Sequence, residues 1–166
     1  DRAILTSRLS ALLRPAPVDL RCNLLRGRPE ALRQALAERG IDALPVAGAS
    51  TALRVAGRAA LERLDLFEQG WFEPQDAGSQ MIADACGARR GERIVDFCAG
   101  AGGKSLALAA RMRNSGQILA FDTDGERLAR LAPRAARAGV SIITSVRIDG
   151  VADPRPSRYA GRADRV

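Results

Sequence analysis

The hydrophobic positions in the second half of the chain alternate between two spacings. Short apolar runs occupy residues 93–97, 117–121 and 140–148, and the stretches 103–112 and 124–138 between them carry apolar residues at helical spacing. Strands that alternate with helices in this way form a parallel sheet with right-handed crossovers. This half is therefore predicted to have an α/β fold.

The first half of the chain has shorter and less regular elements. The spacing of its apolar residues predicts helices over 4–13 and 29–40, a strand over 18–25 and a weak strand around 53–56. A further helix over 79–85 leads into the second half. In the strand over 18–25 alternate side chains should point inward, namely Val18, Leu20, Cys22 and Leu24.

A change of pattern near residues 70–74 divides the chain in two. Residues 1–70 are predicted to form part of a small α+β unit, and residues 71–166 a separate α/β domain. The chain begins without Met inside a helical pattern, and its last residues, 164–166, read as the start of a strand. We therefore expect a piece of a longer protein.

The composition excludes several classes of protein. The chain has no histidine, which removes imidazole general bases, Ser-His-Asp hydrolases and His-ligated zinc sites. Its three cysteines are odd in number and too widely spaced for a metal knuckle, so a reducing cytoplasm fits best. No apolar run approaches the roughly 18 residues that a bilayer crossing needs. We expect neither a metal nor a membrane partner.

The chain is strongly basic, with a formal net charge of +7, and most of the excess lies in its second half. This balance makes a polyanion such as RNA a candidate partner. The aromatic pair Trp71 and Phe72 can either be buried at the boundary or stack on a base. A stripe of arginines at helical spacing is predicted to be a solvated face, with RNA contact as the alternative; it comprises Arg127, Arg130, Arg134 and Arg137.

The segment after the first strand of the second half is rich in glycine. Residues 96–105 read D-F-C-A-G-A-G-G-K-S, so that a strand runs into a glycine-rich turn that opens a helix. Backbone N–H groups and the positive end of the helix then face the crevice above the sheet. The turn should therefore bind an anionic or nucleotide-like ligand.

Three classes of ligand compete for this loop. A dinucleotide site requires G-x-G-x-x-G, and Ser105 stands at the last position. A phosphate loop requires G-x-x-x-x-G-K-[ST], and Cys98 stands at the first position. The third ligand is S-adenosylmethionine, whose cationic sulfonium suits a loop that begins next to an acid, here Asp96.

Two further acids follow the next two strands. Asp122 follows the run 117–121, where a carboxylate can accept both ribose hydroxyls of a nucleoside; the alternative role is a helix cap. Asp149 follows the run 140–148, where it can accept from an adenine amino group or form a turn. The acid at 122 favours a nucleoside ligand over a phosphate-loop site.

Several segments together resemble one family. Residues 96–105, residues 75–80 (Q-D-A-G-S-Q) and residues 21–23 (R-C-N) resemble signatures of the RsmB/Sun (Fmu) family of RNA cytosine carbon-5 methyltransferases. Residues 122–128, which contain the D-x4-R-L pattern, and residues 164–166 resemble the same family. The resemblance covers nearly the whole chain.

The resemblance implies a Rossmann-like class I methyltransferase fold, of which this chain has the first half of the sheet, preceded by part of an RNA-facing α+β unit. It implies S-adenosylmethionine as the cofactor, with Asp122 on the ribose hydroxyls and Asp149 beside the adenine. Ala101 stands where the family usually has proline, which makes the loop less rigid. The implied cofactor-binding residues are Cys98, Ala99, Gly100, Ala101, Gly102, Gly103, Lys104, Asp122, Arg127 and Asp149.

The chemistry of the family requires a group that this chain is not expected to contain. Enzymes of the family are understood to add a cysteine thiolate to carbon 6 of cytosine, which activates carbon 5. In the family that cysteine lies after the fourth strand, beyond Val166. Of the cysteines present, Cys22 should point inward, Cys86 should lie in the core and the side chain of Cys98 should pack. We therefore predict no catalytic residue in this chain and no activity for it alone.

The predicted function is S-adenosylmethionine-dependent formation of 5-methylcytosine in RNA, with ribosomal RNA as the expected substrate. The full-length protein is expected to be a cytoplasmic monomer, and its target base to be single-stranded or flipped out. Two alternatives stay open: a phosphate-loop nucleotide-binding enzyme, and a non-catalytic basic RNA-binding module.

Overall fold

The computed structural model describes residues 1–13, 16–56 and 60–166, and it contains two β-sheets that follow one another along the chain. None of the helices in these ranges combines the length and the apolar character that crossing a bilayer requires. The helices are α1 (Arg2–Leu12), α2 (Pro29–Ala37), α3 (Asp65–Glu68), α4 (Ala77–Ala85), α5 (Gly103–Arg111), α6 (Gly125–Ala129), α7 (Leu131–Ala138) and α8 (Pro154–Ser157). The strands are β1 (Val18–Cys22), β2 (Ala43–Val46), β3 (Ala49–Val55), β4 (Phe72–Pro74), β5 (Arg93–Asp96), β6 (Gln117–Asp122) and β7 (Ile143–Arg147).

The first sheet is antiparallel and has the strand order β2-β3-β1-β4. Leu20 of β1 packs against α2, whose buried residues Leu32 and Leu36 are one helical turn apart. β1 ends at Cys22 because the side chain of Asn23 accepts the N–H of the residue two positions later, which turns the backbone. The prediction that Leu24 points inward is therefore wrong, and this residue is exposed.

The second sheet is parallel and has the strand order β5-β6-β7, with α5 connecting the first pair and α6 and α7 the second. Its parallel register confirms the predicted α/β fold. Ile94 in β5 also forms a parallel bridge with Arg165. Since β6 lies on the other side of β5, Arg165 pairs with the edge of β5 that β6 leaves open, in agreement with the expectation that residues 164–166 begin a strand.

Apolar side chains cover both faces of the parallel sheet. On one face Ile94 and Ile118 pack against residues of α4, α5 and α7. On the other face Leu119 and Phe121 pack with Tyr159. Burial on both faces explains why β5 and β6 read as continuous apolar runs in the sequence, whereas the residues of β7 are exposed or half-buried.

Further elements differ from the predictions. The helix predicted over 124–138 is divided into α6 and α7 at Arg130, because Pro133 has no N–H for a helical hydrogen bond. The third strand of the parallel sheet covers only Ile143–Arg147 of the predicted 140–148. Ile4 and Leu5, which helped to predict α1, are more than half exposed.

The two sheets are joined through α7. The side-chain amide of Asn23 donates to the carbonyl oxygen of Gly70 at 2.8 Å and to that of Ala138 at 2.9 Å. The antiparallel sheet extends through Pro74, beyond the predicted division after residue 70. The division into two units stays a prediction, and the fold shows that they share a polar interface.

Candidate functional site

The glycine loop, residues 98–104, connects β5 to the first turn of α5 at the carboxyl end of the parallel sheet. Gly100 and Gly102 have φ angles of +54° and +80°, in the region that favours glycine. The N–H of Ala99 donates to the carbonyl oxygen of Phe121 at 2.9 Å, which holds the loop against β6. The loop is thus formed by its own glycines and by the neighbouring strand.

Asp122 ends β6, and its carboxylate lies directly against the glycine loop. Its Oδ1 accepts the N–H of Asp124 at 2.9 Å, and its Oδ2 accepts the N–H of Gly100 at 2.6 Å. These donors, that of Asp124 first, hold the pKa of Asp122 below its usual value, although burial opposes the shift. Each carboxylate oxygen retains a further lone pair, so ionised Asp122 can still accept two hydroxyl groups.

Asp96, the last residue of β5, is held by the helix that follows the loop. The Oγ of Ser105, which is fully buried, donates to Oδ2 of Asp96 at 2.6 Å. Asp96 and Asp122 therefore place carboxylates on two neighbouring strands beside one loop. Two negative charges at this position oppose a triphosphate and suit a ligand that carries a cationic group.

An open cleft of about 530 Å³ runs along the glycine loop. Six of the predicted cofactor residues line it: Cys98, Ala99, Ala101, Gly103, Lys104 and Arg127. The cleft is also lined by residues that were not predicted as cofactor contacts, among them Gln75, Asp76, Ser79 and Arg134. Cys98 is exposed, so the prediction that its side chain packs is wrong: β5 ends at Asp96, and Cys98 already lies in the turn.

The wall opposite the loop comes from the Q-D-A-G-S-Q segment. Asp76 caps α4 by accepting the N–H of Ser79 at 2.8 Å. Gln80 is fully buried; its amide donates to the carbonyl oxygen of Gln75 at 2.9 Å and accepts from the hydroxyl of Thr51 at 3.0 Å. These hydrogen bonds hold the cleft wall against the first sheet. The sequence pattern did not indicate this role.

Asp149 directly follows Ile148, whose N–H donates to the carbonyl oxygen of Asp122 at 3.0 Å. Its side chain is 79% exposed and forms an ion pair with Arg155 at 2.7 Å. The backbone N–H of Asp149 donates to Asp153, which caps α8. Asp149 thus takes part in a turn, and its part in binding a nucleoside stays a prediction.

The arginine stripe is not a uniform solvated face. Arg127 and Arg130 are exposed, as predicted. Arg134 and Arg137 are 22% exposed, and both form ion pairs with Glu73, whose side chain is 3% exposed. The prediction of a solvated face is wrong for these two residues, because β4 places a buried carboxylate against α7.

The remaining candidate residues lie in the core or at its margin. Phe72 is fully buried and Trp71 is partly buried against the same core of the first sheet, which agrees with burial rather than base stacking. Cys22 is buried, and burial raises the pKa of its thiol to about 12. Cys86 packs against the core of the second sheet. The buried thiol of Cys22 therefore lacks the properties of a nucleophile.

The fold and the loop together define a class of protein. A solved structure from Pyrococcus horikoshii, described as a methyltransferase homolog protein, is 27% identical and aligns with a TM-score of 0.77 over 92% of this chain and 48% of that chain. The second half is thus part of a Rossmann-like fold of the class I methyltransferase type. Residues 83–166 match the model of the 16S rRNA methyltransferase RsmB/F family, and the chain belongs to this family.

Two curated relatives extend the similarity into the first half of the chain. A probable ribosomal RNA small subunit methyltransferase B of Synechocystis sp. is 37% identical over 132 residues, 79% of this chain and 29% of the relative. The 28S rRNA (cytosine(4447)-C(5))-methyltransferase of Homo sapiens is 34% identical over 154 residues, 92% of this chain and 19% of the relative. The chain therefore spans less than a third of the length of these relatives.

Proposed function

We propose that this chain is the S-adenosylmethionine-binding part of a methyltransferase that forms 5-methylcytosine in RNA. The names of the two curated relatives support ribosomal RNA as the substrate. The target cytosine would be single-stranded or flipped out when it is methylated, and the reaction would take place in the cytoplasm. When bound, S-adenosylmethionine supplies a methyl group on an electrophilic sulfonium centre.

The contact between Asp122 and Gly100 is the observation that carries this proposal. At 2.6 Å it brings an ionised carboxylate to the backbone of the glycine loop. Asp122 would accept the ribose hydroxyls, and the loop residues from Cys98 to Lys104 would surround the rest of the ligand. The cleft of about 530 Å³ is lined by other residues of the loop and not by Asp122 or Gly100, and its volume lies within the range of about 300–1,000 Å³ typical of small-molecule sites.

The proposed contacts of Arg127 and Asp149 with the ligand are judged from other observations. Arg127 lies over the loop, since a Cβ added to Gly100 would be 2.6 Å from Nη2 of Arg127. Its cation would meet a carboxylate group of the ligand. Asp149 already pairs with Arg155, so contact with an adenine amino group would require this ion pair to open.

The phosphate-loop alternative has less support. A phosphate loop offers its backbone N–H groups to the ligand, whereas the N–H of Gly100 already donates to a carboxylate. Asp96 and Asp122 would also repel a triphosphate. We therefore propose a nucleoside with a cationic centre as the ligand.

Titration calorimetry with S-adenosylmethionine and with Mg-ATP tests the proposal. S-adenosylmethionine should bind, and Asp122→Asn should weaken its binding about tenfold or more, because a charged acceptor of hydrogen bonds is lost. Glu126→Gln removes one negative charge from an exposed position of α6 and should leave the affinity unchanged. Binding of Mg-ATP that is lost in Lys104→Ala, with no binding of S-adenosylmethionine, would refute the proposal.

A further inference from the structure

A polar cluster connects the first sheet to the glycine loop. Oε2 of Glu73 accepts from Nε and Nη2 of Arg134 at 3.0 and 2.9 Å, and Oε1 accepts from Arg137. The same guanidinium of Arg134 donates from Nη1 to the carbonyl oxygen of Ala101 at 2.6 Å. One side chain thus links a carboxylate of β4 to the backbone of the loop.

The position of Arg134 is determined by the first sheet. Glu73 is 3% exposed and accepts from two guanidinium groups, so its carboxylate has little freedom to move. The guanidinium of Arg137 lies 3.9 Å from the centre of the Phe67 ring, which fixes the second partner. Glu73 accepts from both arginines, although Nε of Arg137 is buried without a hydrogen-bond partner, and its two bonds to Arg134 leave Nη1 of Arg134 directed at the loop.

The glycine loop needs a contact of this kind at Ala101. This residue stands between Gly100 and Gly102, whose backbones lose more conformational freedom on folding than those of other residues. Within the loop itself, the N–H of Gly102 donates to the carbonyl oxygen of Ala99 at 2.9 Å. A charged donor on the carbonyl of Ala101 adds a second constraint from outside the loop.

We infer that Arg134 is a positioning residue that holds the glycine loop in its binding conformation, and that the first sheet sets this position through Glu73. The inference rests on the proposed function, since it assigns Arg134 a part in the affinity for S-adenosylmethionine. The first sheet would then contribute indirectly to cofactor binding, through the contact between β4 and α7.

Hydrogen exchange of the loop amides provides a measurement that needs no cofactor. The N–H groups of Ala99, Gly100 and Gly102 are all hydrogen-bonded, so their exchange rates report the order of the loop. Amides of β6 serve as an internal reference for unfolding of the whole domain. A change confined to the loop therefore separates positioning from general loss of stability.

The test compares two identical substitutions on neighbouring helical turns. Arg134→Lys keeps the charge but loses the planar group that reaches both Glu73 and Ala101. Arg130→Lys makes the same exchange at an exposed residue and serves as the control. In the chain without cofactor, loop amides should exchange about tenfold faster in Arg134→Lys relative to those of β6, and Arg130→Lys should match the unaltered chain.

The affinity for S-adenosylmethionine should fall in Arg134→Lys by a similar factor. Loop exchange that is unchanged in Arg134→Lys would overturn the inference, even if the affinity fell, because Arg134 would then contact the ligand without ordering the loop. If the unaltered chain binds no S-adenosylmethionine, the proposed function fails. The exchange rates would in that case still decide whether Arg134 orders the loop.

Discussion

Gly102→Ala should destabilise the protein because this position excludes any side chain. The φ angle of Gly102 is +80°, in the left-handed region, which costs a residue with a Cβ about 1–2 kcal/mol. The new Cβ would lie 2.5 Å from Cγ and 2.6 Å from Cδ1 of Leu131, closer than carbon atoms approach in folded proteins. The backbone conformation and the close contact both lower the free energy of unfolding.

The contact between the new Cβ and Leu131 adds to the free-energy cost of the left-handed backbone conformation. Leu131 is 3% exposed and packs in the core with residues of α5 and α7, so a shift of its side chain would disturb other buried residues. Inserting a carbon atom into such a core costs about 1–3 kcal/mol. Backbone and packing together predict a loss of about 2–5 kcal/mol in the free energy of unfolding.

Urea unfolding followed by circular dichroism measures this loss, and Gly103→Ala is the matched control. Gly103 is the first residue of α5, and an added Cβ would lie 3.5 Å from Nε2 of Gln75, an ordinary contact. Alanine should therefore change the stability there by less than about 1 kcal/mol, in the stabilising direction. Equal losses at the two positions would refute the reasoning.

Two further predictions concern the sheet interface and Asp122. Asn23→Ala leaves two carbonyl oxygens without their donor and should cost about 2–4 kcal/mol in urea unfolding; unaltered stability would contradict the bridging role. The N–H groups of Asp124 and Gly100 hold the pKa of Asp122 below 3.8, so its contribution to stability is present above that pH and is lost as the pH falls through the lower, folded pKa. Acid titration of Asp122→Asn should lack this loss, and identical acid transitions in the two proteins would argue against it.

The elements of the parallel sheet could be predicted because their signals are local. The observed β5 and α5 each end one residue before the predicted bounds, and β6 extends one residue further. These strands are buried on both faces, and glycines mark the start of α5 and the end of α7. Periodicity and glycine positions suffice where neighbours in sequence determine the structure.

The first sheet was harder to predict because its strands carry polar residues inward. β4 is three residues long and contains Glu73, which is buried because two arginines of α7 pair with it. Asp19 and Arg21 of β1 are buried as well, so this strand does not alternate between apolar and polar positions. Hydrophobic periodicity fails where the partners of a buried charge come from distant parts of the chain.

The candidate functional site, too, could be predicted from the sequence only where the signals are local. The role of Asp122 could be inferred from its place after a strand, because parallel strands bring their carboxyl ends to one edge of the sheet. Helical spacing placed Arg134 and Arg137 on one face of a helix, yet it could not show that this face meets a carboxylate 61 residues away. Since that carboxylate belongs to the first sheet and the guanidinium of Arg134 reaches the glycine loop, a change at the interface should alter the loop as well.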